Sequence, residues 1–300
     1  TKYAELAHRI AQQSIVLLQN EGSFLPARPK DTAKITFIAR EDAINAGDRG
    51  SSNVLPSMSG ATILQSLQAK YRLSQLMFHT YDELDDLFAQ KWNSVSIAKM
   101  VVIEAGYDYK FEGEFIPPAT GGDRDYLGLH EKDIEVIRRC REQNPNIVVV
   151  LSSGHNVIVE AWKDSAKAIL WYGYPGPMGA HALADILAGD ANPAGRTTAV
   201  TPKRAEDYVP AGTEMQPWKH HAEVKYPSLF GYKHMWKEKI EPRYPLGYGL
   251  SYTTFQHGAP TVQSEGLKVR VLVEVRNTGS VAGTETVQVY AVCKTCKRER

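Results

Sequence analysis

Asn146-Ile-Val-Val-Val-Leu-Ser152 decides the fold. Its consecutive aliphatic residues leave no polar face, so this strand is predicted to be buried on both sides, as in a parallel sheet covered by helices. Upstream, 130–143 has helical spacing and Met100 to Ala105 reads as another apolar strand; downstream, Ala168 to Tyr174 does the same. Gly179 to Leu187 is a predicted helix closed by Gly189, with Asn192-Pro193 beyond it. Further out, Ile35 to Ala39 is a short buried strand, and helical pattern recurs at 61–71 and 81–91. Repeated βα units of this length predict an α/β fold with an open, doubly wound, mostly parallel sheet, an α/β sandwich. In such sheets ligands bind at loops beyond the strand C-termini, so the informative loops are Gly47 to Pro56 and Gly106 to Gly128.

The flanks read differently. Glu5 to Gln19 carries Leu6, Ile10, Ile15 and Leu18 at roughly helical spacing, and Asn20-Glu21-Gly22 follows as a stop signal. From Lys203 to Pro245 regularity gives way to crowded aromatics and prolines, an ordered wrapping connection. Beyond Phe255, Leu267, Val269, Val271, Val273 and Val275 fall at every second position, which is antiparallel patterning. Asn277-Thr278-Gly279 is a turn, and Thr284 to Val292 is the expected partner strand. A β-sandwich of this kind takes about 100 residues. The 45 residues from 256 to 300 therefore read as a truncated antiparallel β-sandwich module. The expected organisation is an N-terminal helix and linker (1–26), an α/β sandwich domain (27–202), the aromatic-rich connection (203–255) and the partial module (256–300).

Composition narrows the function classes. Three hundred residues carry 35 Lys and Arg against 34 Asp and Glu, a net charge of +1 with no long basic run, so a nucleic-acid partner has no electrostatic footprint. The longest aliphatic stretch, Ile147 to Leu151, is far below the roughly 18 to 20 apolar residues of a spanning helix, so no membrane partner is expected. Cys140, Cys293 and Cys296 include one CxxC but no second pair, too few for a zinc site, and that CxxC follows a strand rather than opening a helix as a redox motif does. No G-x-G-x-x-G or phosphate-cradling loop follows Ile35 to Ala39, which argues against a nucleotide-binding sheet.

The loop 106–124 concentrates Asp108, Glu112, Glu114 and Asp123 among aromatics and glycines. A carboxylic acid beside apolar rings keeps its proton at working pH, which is what acid catalysis on a sugar requires; a solvated acidic loop has the same composition. Asp123-Arg124 is open between a ligand-binding pair and an internal brace. Asp48, Arg49, Ser51 and Ser52 make either a substrate-facing loop or a capped Gly/Ser turn. Trp171, Trp218, Tyr248, Tyr252 and Phe255 are assigned to packing rather than to sugar binding, and His220 and His221 to a packed or exposed role rather than to metal binding.

Six segments taken in order resemble the C-terminal half of glycoside hydrolase family 3: AQQSIVLLQNEGSFLP (11–26), GDRGSSNVLP (47–56), EGEF…GGDR (112–124), NPNIVVV (144–150), ADILAGDANPAG (184–195) and YPLGYGLSYTTF (244–255). VRNTGSVAGTETVQVY (275–290) resembles the fibronectin type III-like module that follows in that family. The resemblance implies part of a retaining, exo-acting β-glycosidase for terminal β-linked glucose or xylose. This chain would supply the general acid/base Glu, and an N-terminal barrel of the same parent chain would supply the Asp nucleophile. Glu114, preceded two residues earlier by Glu112 and followed by Asp123-Arg124, matches the acid/base; Glu112 is the alternative, because some members place Gly directly after the catalytic Glu. Asp48, Arg49, Ser51, Ser52, Asp123 and Arg124 are the implied substrate-binding set. No cofactor is implied, since proton transfer and a glycosyl intermediate need only carboxylates. The implied partners are an oligosaccharide or an aryl or alkyl β-glycoside and the barrel itself, and the resemblance admits a secreted or periplasmic setting. The rival expectation is a non-catalytic carbohydrate-binding or structural remnant of such an enzyme.

Overall fold

A computed structural model describes residues 2–32, 34–43, 54, 60–71, 76–113, 124, 126–209 and 228–292. Strands β1 (Val16–Asn20), β2 (Ile35–Ala39), β3 (Leu76–Thr80), β4 (Met100–Gly106), β5 (Ile147–Ser152) and β6 (Ala168–Trp171) form one sheet in the order β1-β6-β5-β4-β2-β3. The β2–β3, β2–β4, β4–β5 and β5–β6 pairs are parallel, and only the β1 edge runs antiparallel. The sheet is therefore open, mixed and mostly parallel, as Asn146 to Ser152 predicts.

Burial on both faces explains the apolar runs. Val101, Ile103, Val149 and Leu151 pack on one side under α3 (Leu84–Phe88) and α6 (Glu131–Gln143), where Ile134 and Ile137 meet them and Trp162 fills the base. Their neighbours Met100, Val102, Val148 and Val150 point to the opposite side, under α2 (Ile63–Tyr71) and α7 (Gly179–Ala188). Gly189 ends α7 in the left-handed region at φ 86°, and its amide bonds the carbonyls of Asp185 and Ile186. Between α3 and β4 a one-turn helix, α4 (Ser94–Ile97), is boxed by Asn93 and Ser96.

The chain path reverses between β2 and β4. From β2 it proceeds outward to β3, then returns to β4 and continues through β5 to β6, beside the β1 edge. The C-terminal ends of β2 and β4 thus flank a topological switch point, where doubly wound sheets leave a crevice for ligands.

Four expectations need correction. The N-terminal helix, α1 (Lys2–Ser14), is shorter than the predicted 5–19 stretch, and after the buried Ile15 the segment Val16–Asn20 joins the sheet instead. Four successive aliphatic residues need burial on two faces, which a strand provides, whereas Leu6 and Ile10 stay 42% and 57% exposed on the helix. Leu76–Thr80 forms β3, a strand that the spacing did not predict: it lies at the sheet edge, half-buried, without a continuous apolar run. Thr284 to Val292 is not the partner strand. Among the described residues β8 (Thr261–Glu265) pairs with β9 (Lys268–Leu272), and β7 (Phe255–His257) with β10 (Val275–Asn277). Leu267, Val262 and Val269 are exposed, so the alternation is real while the face it would cover has no partner among the described residues. The aromatic connection also holds a helix, α8 (Gly231–Lys237), beyond its predicted irregularity. Tyr252 does pack, donating from its hydroxyl to the Ile186 carbonyl at 2.9 Å.

Candidate active site

The switch-point loops begin with a turn that demands glycine. Gly106, the last residue of β4, has φ +138°, and a Cβ there would stand 2.1 Å from the Ser152 carbonyl oxygen. That same oxygen accepts from the Tyr107 amide at 2.7 Å. Two residues on, the Asp108 side chain accepts from the Lys110 amide at 2.8 Å and opens the single-turn α5 (Tyr109–Glu112). This turn aims Glu112 across the end of β4 toward β5.

Glu112 is held from three sides. The Gly154 amide donates to its Oε2 at 2.6 Å, and the Tyr174 hydroxyl donates to the same oxygen. Arg124 Nε stands 2.9 Å from Oε1, and the two side chains are only 7% and 10% exposed. Arg124 also donates from Nη2 to the Asn156 carbonyl at 3.2 Å, and its guanidinium lies 4.5 Å above the Tyr107 ring. Desolvation, with Glu112 beside it, pushes the Tyr174 phenol up, so it remains a donor throughout the working pH range. Gly154 leaves room for this contact: a Cβ there would lie 3.1 Å from the Tyr174 ring and 3.3 Å from Glu112 Oε2.

A ring cluster closes the loop's base. The Tyr107 and His130 ring centroids are 4.8 Å apart, those of Phe111 and His130 4.4 Å, and the Tyr107 hydroxyl donates to the Gly128 carbonyl. Burial lowers the His130 pKa, and nearby Arg40 and Arg124 add to the effect; burial and then Arg124 do the same to His155. Both shifts favour the neutral imidazole.

A second polar group lies behind the first. Arg40, immediately after β2, donates from Nη1 to the Gly106 carbonyl at 2.7 Å and from Nη2 to Asp133 Oδ2 at 2.6 Å. The Tyr81 hydroxyl is 2.9 Å from Asp133 Oδ1 and 2.8 Å from the Glu104 carbonyl. Asp133 is fully buried, which pushes its carboxyl up to about 6 against the pull of Arg40. On the other face of β4, Glu104 accepts from the Ser152 hydroxyl at 2.6 Å, and desolvation raises its carboxyl to about 7. None of Arg40, Tyr81, Glu104 or Asp133 was among the predicted site residues. The signal was present for Glu104, a lone acid inside the apolar run Met100 to Ala105.

Of the predicted residues, the fold brings Glu112 and Arg124 together. Glu114, Asp48, Arg49, Ser51, Ser52 and Asp123 lie outside the described residues. Cys140 is buried and free, and Trp171 donates from its indole to the Ser153 carbonyl at 3.0 Å.

Known proteins are similar to this chain in sequence and architecture. A β-glucosidase of Bacteroides ovatus is 26% identical across 97% of the chain, and a thermostable β-glucosidase of Acetivibrio thermocellus is 29% identical across 95%. An exo-α-(1→6)-L-arabinopyranosidase of Bifidobacterium longum is 30% identical across 96%. The chain spans about four-tenths of these relatives, 42%, 38% and 39% of their lengths. Among solved structures, a β-glucosidase of Chaetomella raphigera superposes with a TM-score of 0.76 at 26% identity, covering 94% of this chain and 43% of that one. A family 3 β-glucosidase of Bifidobacterium adolescentis gives 0.74 at 27%, covering 92% and 40%. The model of the glycosyl hydrolase family 3 C-terminal domain matches residues 15–252, and the chain accordingly belongs to glycosyl hydrolase family 3.

Proposed function

We propose that this chain is the acid/base-bearing half of a retaining, exo-acting β-glycosidase whose nucleophile lies on a barrel domain of the same parent protein. Terminal β-linked glucose or xylose is the proposed glycone, and the arabinopyranosidase among the relatives adds α-L-arabinopyranosides to the candidates. In a retaining reaction two carboxyl groups about 5 to 5.5 Å apart divide the work. The nucleophile displaces the leaving oxygen at the anomeric carbon while the acid gives that oxygen its proton. The resulting carboxylate then takes a proton from water, whose oxygen displaces the enzyme and restores the anomeric configuration. The observation that supports this reading is the Glu112–Arg124 pair above the switch point, on the loop that also carries Glu114.

Within that loop, Glu112 accepts from an amide and a phenol and is ion-paired with a guanidinium, so to donate a proton it must first give up one of these contacts. That favours Glu114 as the acid/base and Glu112 as the anchor that sets the loop. The second reading gives Glu112 the catalytic role itself, and its support is the placement of its carboxyl over the C-terminal ends of β4 and β5. Asp48, Arg49, Ser51, Ser52 and Asp123 are proposed to contact the sugar, and strands β7 to β10 to begin the fibronectin-like module.

Kinetics of the full natural gene product test both. Hydrolysis of nitrophenyl β-glucoside, β-xyloside or α-L-arabinopyranoside supports the glycosidase; inactivity on all three favours the carbohydrate-binding remnant. Of Glu112→Gln and Glu114→Gln, the variant that loses turnover and regains it with azide, forming the glycosyl azide, carries the acid/base residue.

A further inference from the structure

The loop from Tyr107 to Gly128 leaves the sheet at β4 and returns at α6, and one side chain touches both stems. Arg40 binds the Gly106 carbonyl on the outgoing stem and Asp133, in the first turn of α6, on the returning one. Behind it Tyr81 joins Asp133 to the Glu104 carbonyl, two residues before Gly106. Two strand ends and a helix start are thereby fixed as one block, and Tyr107 bonding Gly128 closes the loop just beyond it.

We infer that Arg40, braced by Asp133 and Tyr81, is a positioning residue for the acid/base carboxylate, setting the height and direction at which its loop leaves the sheet. The inference rests on the proposed glycosidase function and holds whether Glu112 or Glu114 is the acid. Arg40 is 36% exposed and fills no core space, so packing does not account for it. Stability alone does not account for the pair: replacing both members by apolar residues of the same volume is often neutral, although removing Arg40 alone strands the buried Asp133 carboxylate, and what the pair adds is fixed geometry. Asp133, at 0% exposure, receives Arg40 on Oδ2 while its Oδ1 accepts from Tyr81. The dependence of acid catalysis on geometry makes this consequential, since a displacement of about 1 Å can cost about a hundredfold in rate.

The test uses the full-length protein and two glycosides of the sugar it hydrolyses, one with a dinitrophenyl leaving group and one with an alkyl leaving group. The first departs without a proton; the second needs the acid. Arg40→Met is expected to lower kcat/KM on the alkyl glycoside by about tenfold or more and to leave that on the dinitrophenyl glycoside within about threefold, because general acid catalysis contributes about 10² to 10⁴-fold. Arg40→Lys, which keeps the charge facing Asp133 but reaches one stem only, is expected to show the same selectivity to a smaller degree, and it decides the case if Arg40→Met does not fold. Equal losses on both substrates, or no loss on the alkyl glycoside, overturn the inference. A wild-type protein inactive on every glycoside instead removes the function on which it rests.

Discussion

Glu104→Gln should change how stability responds to pH. Folded, the Glu104 carboxyl takes up its proton near pH 7; unfolded, near its ordinary 4.5. Desolvation is the main cause, and Asp42 and Glu41 reinforce it. Between the two values the folded chain holds more protons than the unfolded one, so stability falls as pH rises through this window and is fully present only below it. For these two values the linkage relation gives wild type about 2.5 kcal/mol more stability from this group at pH 5 than at pH 8. Gln keeps an oxygen for the Ser152 hydroxyl and carries no titrating proton. Relative to wild type, the variant should therefore gain about 2.5 kcal/mol between pH 5 and pH 8. Asp133, raised to about 6, slopes the same way in both proteins and cancels in the comparison. Urea unfolding read by tryptophan fluorescence measures it, with buried Trp162 as a reporter. An offset between variant and wild type that is the same at pH 5 and pH 8 would refute the reasoning.

Other substitutions test the frame of the site. Gly106→Ala places a Cβ against the Ser152 carbonyl at a left-handed φ and should destabilise by about 2 kcal/mol or more in urea; a cost near zero would mean that the turn relaxes freely. Asn144→Ala removes the side-chain donor to the buried carbonyls of Val95 and Ala98, at 2.7 and 2.8 Å, leaving that of Val95 only the Ala98 amide at 3.3 Å, and should cost about 2 kcal/mol or more; a thermal melt superimposable on wild type argues against it. Arg124→Met leaves Glu112 without its cation in a nearly buried site and should cost about 3 kcal/mol, part of which Glu112→Gln restores in a double-mutant cycle. Strict additivity of those two changes would show that the pair does not couple.

What the sequence made legible follows from periodicity. Ile147 to Leu151 and Met100 to Ala105 are buried on both faces, so their apolar runs announce central parallel strands without outside information. Leu76 to Thr80 is at an edge with intermediate burial, and its mixed Leu-Met-Phe-His-Thr sequence lacks the run that marks a central strand. Ile15 to Leu18 shows how two periods compete. Spaced with Leu6 and Ile10 these residues fit a helix; taken as a block they fit a buried strand, and the demand of both sheet faces for contacts decides in favour of the strand.

The site was legible only in part, for a different reason. Glu112 and Arg124 lie on one loop, twelve positions apart, so a local motif brings them to notice. Arg40, Tyr81 and Asp133 come from three separate elements, and only the order β4-β2-β3 with α6 above it brings them within hydrogen-bonding distance. No spacing along the chain encodes that meeting. Each nonetheless departs from the pattern of its own element. Arg40 directly follows a fully buried strand, and Asp133 occupies an inward position next to Ile134 on a helix whose other charges face out. A buried charge costs free energy unless a partner of opposite sign is supplied, so such departures mark positions where the fold must bring one. Pairing the two by charge before any contact is known, Arg40 at the end of β2 with Asp133 at the start of α6, would have located the switch-point block from sequence and topology together.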